Sequence, residues 1–182
     1  MLKWFTFIAG TAILTYISRA SFRAPKSHGY YRFFAWELIL ILFVISLDKW
    51  DGAVHTPDQI TSEVLMNISL LLVVLGYLSL FLFGKHDASR NDTPLLFIEK
   101  TTLLVNRGLY RYIRHPIYSS LIFLDWGLCF KEMSWLNGSI ALVACVFLVI
   151  TSRAEENENI HYFGSQYQQY MARTKLFVPF LL

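Results

Sequence analysis

Apolar residues gather into five runs along the chain, at 2–17, 33–47, 64–83, 117–130 and 135–150, with polar and charged residues crowded between them. A helix needs about 20 apolar residues to cross the hydrocarbon core of a bilayer, with ~17 the usual lower limit. The run at 64–83 meets that requirement outright. The others meet it when their Trp, Tyr and Lys flanks sit in the interfacial region. The pattern predicts an all-α integral membrane protein with about five transmembrane helices. Basic residues follow the first run rather than precede it, and no small-residue cleavage site is evident, so this run is read as a retained helix.

After the fifth run the helical pattern continues through TSRAEENENIHYFGSQYQQYMARTKLFVPFLL. Phe163, Tyr167 and Tyr170 recur there at helical spacing, which predicts an interfacial C-terminal helix whose aromatic stripe anchors in the membrane surface. The stretch KHDASRNDTPLLFIEKTTLLVNRG has no clean period. Its apolar clusters argue against disorder, so it is read as a re-entrant connector folded over the membrane face. The chain is one membrane domain: 1–84 is a three-helix N-terminal part, and 85–182 holds the candidate chemistry.

Composition agrees with this reading. Of 182 residues, 55% are hydrophobic and only 16% charged, a balance outside that of ordinary soluble domains. The placement of charge says more than the net +3. Arg19, Arg23, Lys26 and Arg32 fall between the first two runs, and Lys85, Arg90, Lys100, Arg107, Arg111 and Arg114 between the third and fourth. The second connection, DKWDGAVHTPDQITSE, is net acidic. The positive-inside rule then places the N-terminus outside and the C-terminus in the cytoplasm. Cys129 and Cys145 stand alone in apolar runs and read as packing residues. His28, His55, His86 and His161 show no metal-binding spacing and read as interface or loop residues, and no metal site is expected.

Candidate chemistry concentrates at NRGLYRYIRHPIYSS. Pro116 suits the first turn of a helix, because its missing amide hydrogen would be unpaired there anyway. Arg114 and His115 then precede a helix N-terminus, which attracts anions. Gly108 gives the preceding turn access to conformations closed to other residues. A snorkelling basic turn that only fixes topology is the bland alternative. Glu155 and Glu156 fall at the same cytoplasmic level, at the end of the fifth run. There they oppose the helix dipole unless the helix continues or a cation binds. Facing basic and acidic clusters suit a zwitterionic, positively charged cofactor. Glu37 and Asp125 are the other membrane carboxylates. Asp125 lies about 13 Å along its helix from Pro116 and is read as a structural hydrogen bond to another helix; Glu37 is near enough to the interface to be solvated.

The stretch LLVNRGLYRYIRHPIYSS resembles the signature of isoprenylcysteine carboxyl methyltransferases and the related phospholipid methyltransferases. Leu104, Val105, Gly108, Tyr110, Arg114, His115, Pro116, Tyr118 and Ser120 carry the likeness. Glu155, Glu156, Phe163, Gly164, Tyr167, Tyr170, Arg173 and Pro179 resemble the same family's C-terminal signature. The short chain is similar to the compact prokaryotic members. Ser120 stands where such proteins usually have glycine, and Asn159 where they usually have leucine.

The resemblance implies a membrane enzyme that transfers a methyl group from S-adenosyl-L-methionine, held in a cytoplasm-facing pocket. Leu104, Val105, Gly108, Tyr110, Arg114, His115, Pro116, Tyr118, Glu155 and Glu156 would line that cofactor, with Arg114 and His115 taking its carboxylate. A lipophilic substrate, a prenylated cysteine or similar acid, would enter sideways from the membrane lipids. Arg173 would orient the acceptor carboxylate, and Glu155 or Glu156 would orient the cofactor or pair with Arg173. Alternatives are phosphatidylethanolamine-type N-methylation, where a carboxylate must act as base, an NADPH-dependent membrane reductase, and a noncatalytic scaffold. No nucleic-acid partner is indicated.

Overall fold

The computed structural model describes residues 1–50, 56–85, 95–96 and 100–178. His55, His86, Arg90, Pro179 and Phe180 lie outside them. Among the described residues the α-helices are α1 (Leu2–Ser18), α2 (His28–Ser46), α3 (Pro57–Phe83), α4 (Pro116–Lys131), α5 (Trp135–Phe163) and α6 (Ser165–Arg173). The segments α2 with its following turn, α3 and α5 are long and apolar enough to cross a membrane, and α1 is a shorter apolar helix. No named strand occurs among the described residues.

The helices match the five apolar runs but start earlier or end later, for local reasons. Thr56 accepts from the Gln59 amide and Pro57 takes the first position of α3, so this helix begins a full seven residues before its apolar run. Ser134 caps α5 in the same way, through the Asn137 amide. Past Ile150 the apolar pattern stops, yet α5 runs on to Phe163. The carboxylates of RAEENE therefore sit within a continuing helix, and the dipole objection to them disappears. Gly164 ends α5 at φ 61° and ψ −137°, a conformation that only glycine adopts freely. The chain turns there and restarts as α6.

Packing is tight where side chains are small. On α3, Ser62, Ser69, Gly76 and Ser79 are buried, and Ser62 Oγ donates to the Gly127 carbonyl at 2.7 Å. Helices approach this closely in lipid because small residues let backbones touch. Between α2 and α5 the contact is made by Ala35, Ile39 and Leu42 against Ala141, Ala144 and Leu148, with Leu128 and Cys129 of α4 joining it. Large apolar side chains point outward instead: Trp4, Phe5 and Ile8 on α1, Leu70, Leu71 and Phe81 on α3, Leu142 and Val146 on α5 are all exposed. Such a girdle is the surface that a lipid solvent requires.

Buried polar residues tie helices together. Thr11 of α1 donates to Glu37 at 3.0 Å, so Glu37 bridges helices rather than facing water. Cys145 of α5 lies 3.6 Å from the Asp125 carboxyl of α4, the interhelical bond expected of Asp125. At one end of the bundle, Lys131 contacts Gln59, Glu63 and the Trp50 ring. The start of α2, the start of α4 and the end of α5 meet at the opposite end.

Candidate active site

The turn before α4 folds as its residues dictate. Gly108 adopts φ 61°, and a Cβ there would collide with Ser79 Oγ on α3. Ser79 Oγ in turn accepts from the Leu109 amide at 3.2 Å, which pins the turn to α3. Residues 108–111 form one 3-10 turn, and Pro116 opens α4 behind His115. The chain after α6 then returns along this turn. Arg114 and His115 donate backbone hydrogen bonds to the carbonyls of Lys175 and Leu176 (2.8 and 3.1 Å), and Lys175 donates to Tyr112 at 3.0 Å.

A buried ion pair joins the turn before α4 to α5. Arg114 Nε lies 2.5 Å from Glu156 Oε1, both side chains less than a tenth exposed. The same guanidinium donates to the carbonyls of Met171 and Thr174 at the end of α6. Arg153 reaches the second oxygen of Glu156 at 2.9 Å. His115 is buried, stacks on Tyr118 with ring centroids 5.4 Å apart, and lies 3.8 Å from Glu156 and 3.9 Å from Glu155. Tyr118 donates to Glu155 at 2.5 Å. Adjacent acids on one helix thus take different tasks: Glu156 holds the scaffold, and Glu155 faces a cavity.

That cavity, ≈ 100 Å³, is walled by Leu80, Leu95, Thr101, Leu104, Val105 and Ile117 on its apolar side. Tyr110, Arg114, His115, Tyr118, Glu155, Glu158, Asn159, Phe163, Tyr167 and Tyr170 complete it. Leu104 and Val105 also wall a neighbouring cavity of ≈ 420 Å³, which reaches Arg107, Gln166 and the end of α3. Helix α6 closes the first cavity from the side. Tyr170 donates to the Tyr110 carbonyl at 2.7 Å, and Tyr167 hydrogen-bonds Asn159. Burial pushes the phenol pKa of Tyr167 well up, with Glu155 and Glu156 nearby adding to it, and burial raises that of Tyr170 as well. Both stay protonated at neutral pH.

The phospholipid methyltransferase family profile matches residues 64–166, more than half of the chain. The chain belongs to the phospholipid methyltransferase family. A protein of Bradyrhizobium diazoefficiens named methanethiol S-methyltransferase 1 is 29% identical over 85% of this chain and 55% of its own length. A methanethiol S-methyltransferase of Pseudomonas deceptionensis is 29% identical over 62% of this chain and 42% of its own. Protein-S-isoprenylcysteine O-methyltransferase B of Arabidopsis thaliana is 32% identical over 63% of this chain and 59% of its own. The chain thus spans about half the length of the curated relatives it matches. No solved structure matches it.

As a phospholipid methyltransferase family member, the chain brings most of its signature residues to one place. Leu104, Val105, Tyr110, Arg114, His115, Tyr118 and Glu155 line the first cavity. Gly108 and Pro116 shape the walls without lining it, and Glu156 supports it through Arg114. Arg173 is exposed at the last position of α6 and outside the lining, and the ion pair expected between it and the glutamates is taken by Arg114 and Arg153. Ser120 turns its hydroxyl onto the Ile117 carbonyl of its own helix at 2.6 Å, so the extra oxygen is absorbed locally.

Three readings from sequence are corrected. Tyr167 and Tyr170 do not anchor in the interface; they are buried and cover the cavity. Arg32 belongs to α2 rather than to the loop before it, and is buried with its guanidinium over the Trp36 ring. His28 is neither an interface nor a loop residue; it opens α2 and is fully buried against Glu158. Sequence reasoning missed Glu158 because it follows the paired glutamates outside the signature. The available signal was its spacing of three from Glu155, which puts both on one helix face.

S-adenosyl-L-methionine fits this donor set. The Glu155 carboxylate and several aromatic faces suit a sulfonium cation, and the Leu and Val wall suits an adenine ring. The two cavities together fall within the ~300–1,000 Å³ usual for small-molecule sites.

Proposed function

We propose that this protein is a membrane methyltransferase that uses S-adenosyl-L-methionine to methylate a lipophilic acceptor at the cytoplasmic face of a bilayer. The observation that carries the proposal is the convergence of the turn before α4 with the end of α5 around one cavity, locked by the Arg114–Glu156 pair. The bound cofactor supplies an electrophilic methyl group on a sulfonium. Glu155, fixed by Tyr118, faces that positive charge and orients it. Tyr167 and Tyr170 exclude water, which strengthens each electrostatic contact inside. His115 and the Arg114 edge that lines the cavity take the cofactor's carboxylate. Alignment and desolvation carry most of the rate enhancement, because the displacement itself needs no protein nucleophile.

Two acceptor classes are in play. A prenylcysteine-like carboxylate is suggested by the signature residues and by the Arabidopsis relative. A thiol is suggested by the two methanethiol S-methyltransferases, and the charge of the cavity favours it. A carboxylate acceptor needs a cation to orient it. The cationic side chains among the described lining residues are Arg114, already paired with Glu156, and His115 when protonated. Glu155 and Glu158 would repel a second carboxylate there.

Thermal unfolding of the detergent-purified protein tests the proposal. S-adenosylhomocysteine should raise the melting temperature and NADPH should not. Stabilisation by NADPH alone would move the protein to the reductase class. Methyl transfer from labelled cofactor to an alkanethiol or to a farnesylcysteine carboxylate separates the two acceptors.

A further inference from the structure

His28, fully buried, and Glu158, partly buried, form a dyad that neither signature contains. They are 130 residues apart, and α2 and α5 bring them together. Glu158 Oε1 accepts from the His28 backbone amide at 2.9 Å, and Oε2 lies 2.5 Å from the ring Nδ1. His28 is fully buried at the first position of α2, where helix amides attract an anion, while the Glu158 carboxylate keeps an edge in the cavity. The contact fixes both carboxylate oxygens of a residue that lines the cavity.

We infer that Glu158 is the proton acceptor for a neutral nucleophile in this cavity, and that His28 is its positioning residue. The inference rests on the thiol reading of the acceptor. In the step, the acceptor S–H bond breaks and its proton passes to a Glu158 oxygen. The acceptor sulfur forms the new bond to the methyl carbon, and the carbon–sulfonium bond breaks, its electron pair staying with the departing thioether. Charge balances: a cation and a carboxylate become two neutral groups. Glu155 and Glu158 lie three residues apart on one face of α5, so one can face the sulfonium while the other faces the acceptor. Among the described residues, the other charged or titratable groups that line the cavity with Glu155 and Glu158 are Arg114, His115, Tyr110 and Tyr118 from the turn and α4, and Tyr167 and Tyr170 from α6. His28 holds both carboxylate oxygens.

The test uses full-length protein in detergent, with 1-hexanethiol and with 4-nitrothiophenol, whose thiol is already ionised at neutral pH. Glu158→Gln is expected to slow methylation of hexanethiol by about 10²–10⁴-fold and that of the ionised aryl thiol by less than about tenfold, with affinity for S-adenosylhomocysteine nearly unchanged. His28→Leu should lower kcat for hexanethiol without raising KM for cofactor. His28→Asn, which can return an N–H near the Nδ1 position, should recover most of the rate. Equal losses with both thiols, or wild-type turnover in Glu158→Gln, would overturn the dyad while leaving the methyltransferase reading intact. Wild-type protein that binds S-adenosylhomocysteine but methylates only carboxylates would overturn it too. Failure of wild-type protein to bind S-adenosylhomocysteine would remove both proposals.

Discussion

At the scale of single residues, buried charge decides what the site tolerates. Arg114 and Glu156 are both withdrawn from water, and removing one partner leaves the other charged and uncompensated, at a cost of about 3–5 kcal/mol. Glu156→Gln should therefore lower the melting temperature sharply and abolish transfer. Replacing both residues with apolar ones of similar volume (Arg114→Met with Glu156→Leu) should restore much of the melting temperature but no activity. A single variant as stable as wild type would show the pair to be peripheral. Gly108 makes a second case. Its positive φ and its contact with Ser79 are separate demands, so Gly108→Ala should cost about 1–3 kcal/mol. Adding Ser79→Ala should return only the part due to the clash, as read by thermal unfolding of the single and double variants.

At the scale of elements, α6 is the piece whose role differs most from its sequence pattern. Its aromatic spacing is equally good for lying on a membrane and for covering a pocket, because periodicity reports which residues share a face and not what that face meets. The helices α1 to α5 were legible because lipid imposes a length and a polarity on each. The Arg-His-Pro turn and Glu155 were legible through local rules for proline, glycine and paired charge. The His28–Glu158 contact was not, since no local pattern links residues so distant. Nor was the exposure of Arg173, which depends on where α6 ends. Gly164 separates these effects. No neighbouring atom lies near a Cβ built there, so Gly164→Ala costs only backbone strain, again about 1–3 kcal/mol. It should weaken S-adenosylhomocysteine binding about tenfold by loosening α6, with helix content by circular dichroism unchanged. Unchanged affinity would show that α6 does not close the site.

At the scale of the whole molecule, the polar ends of the bundle differ. One end carries the candidate site and the basic loop between α1 and α2; the other carries Asp48, Lys49 and the Lys131 cluster. In a background with Cys129 and Cys145 changed to Ala, Lys26→Cys should resist a membrane-impermeant maleimide in intact cells, and Lys49→Cys should react. The reverse pattern would turn the proposed topology over.

The backbone pairing of Lys175 and Leu176 with the Arg-His-Pro turn has a consequence for biogenesis. Arg114 takes three of its partners from Glu156, Met171 and Thr174, so the pocket stays unfinished while a ribosome still holds the segment through Phe177. Nascent chains arrested before that point should insert all five apolar helices into the membrane yet fail to retain a radiolabelled nucleoside, however long they are left to mature.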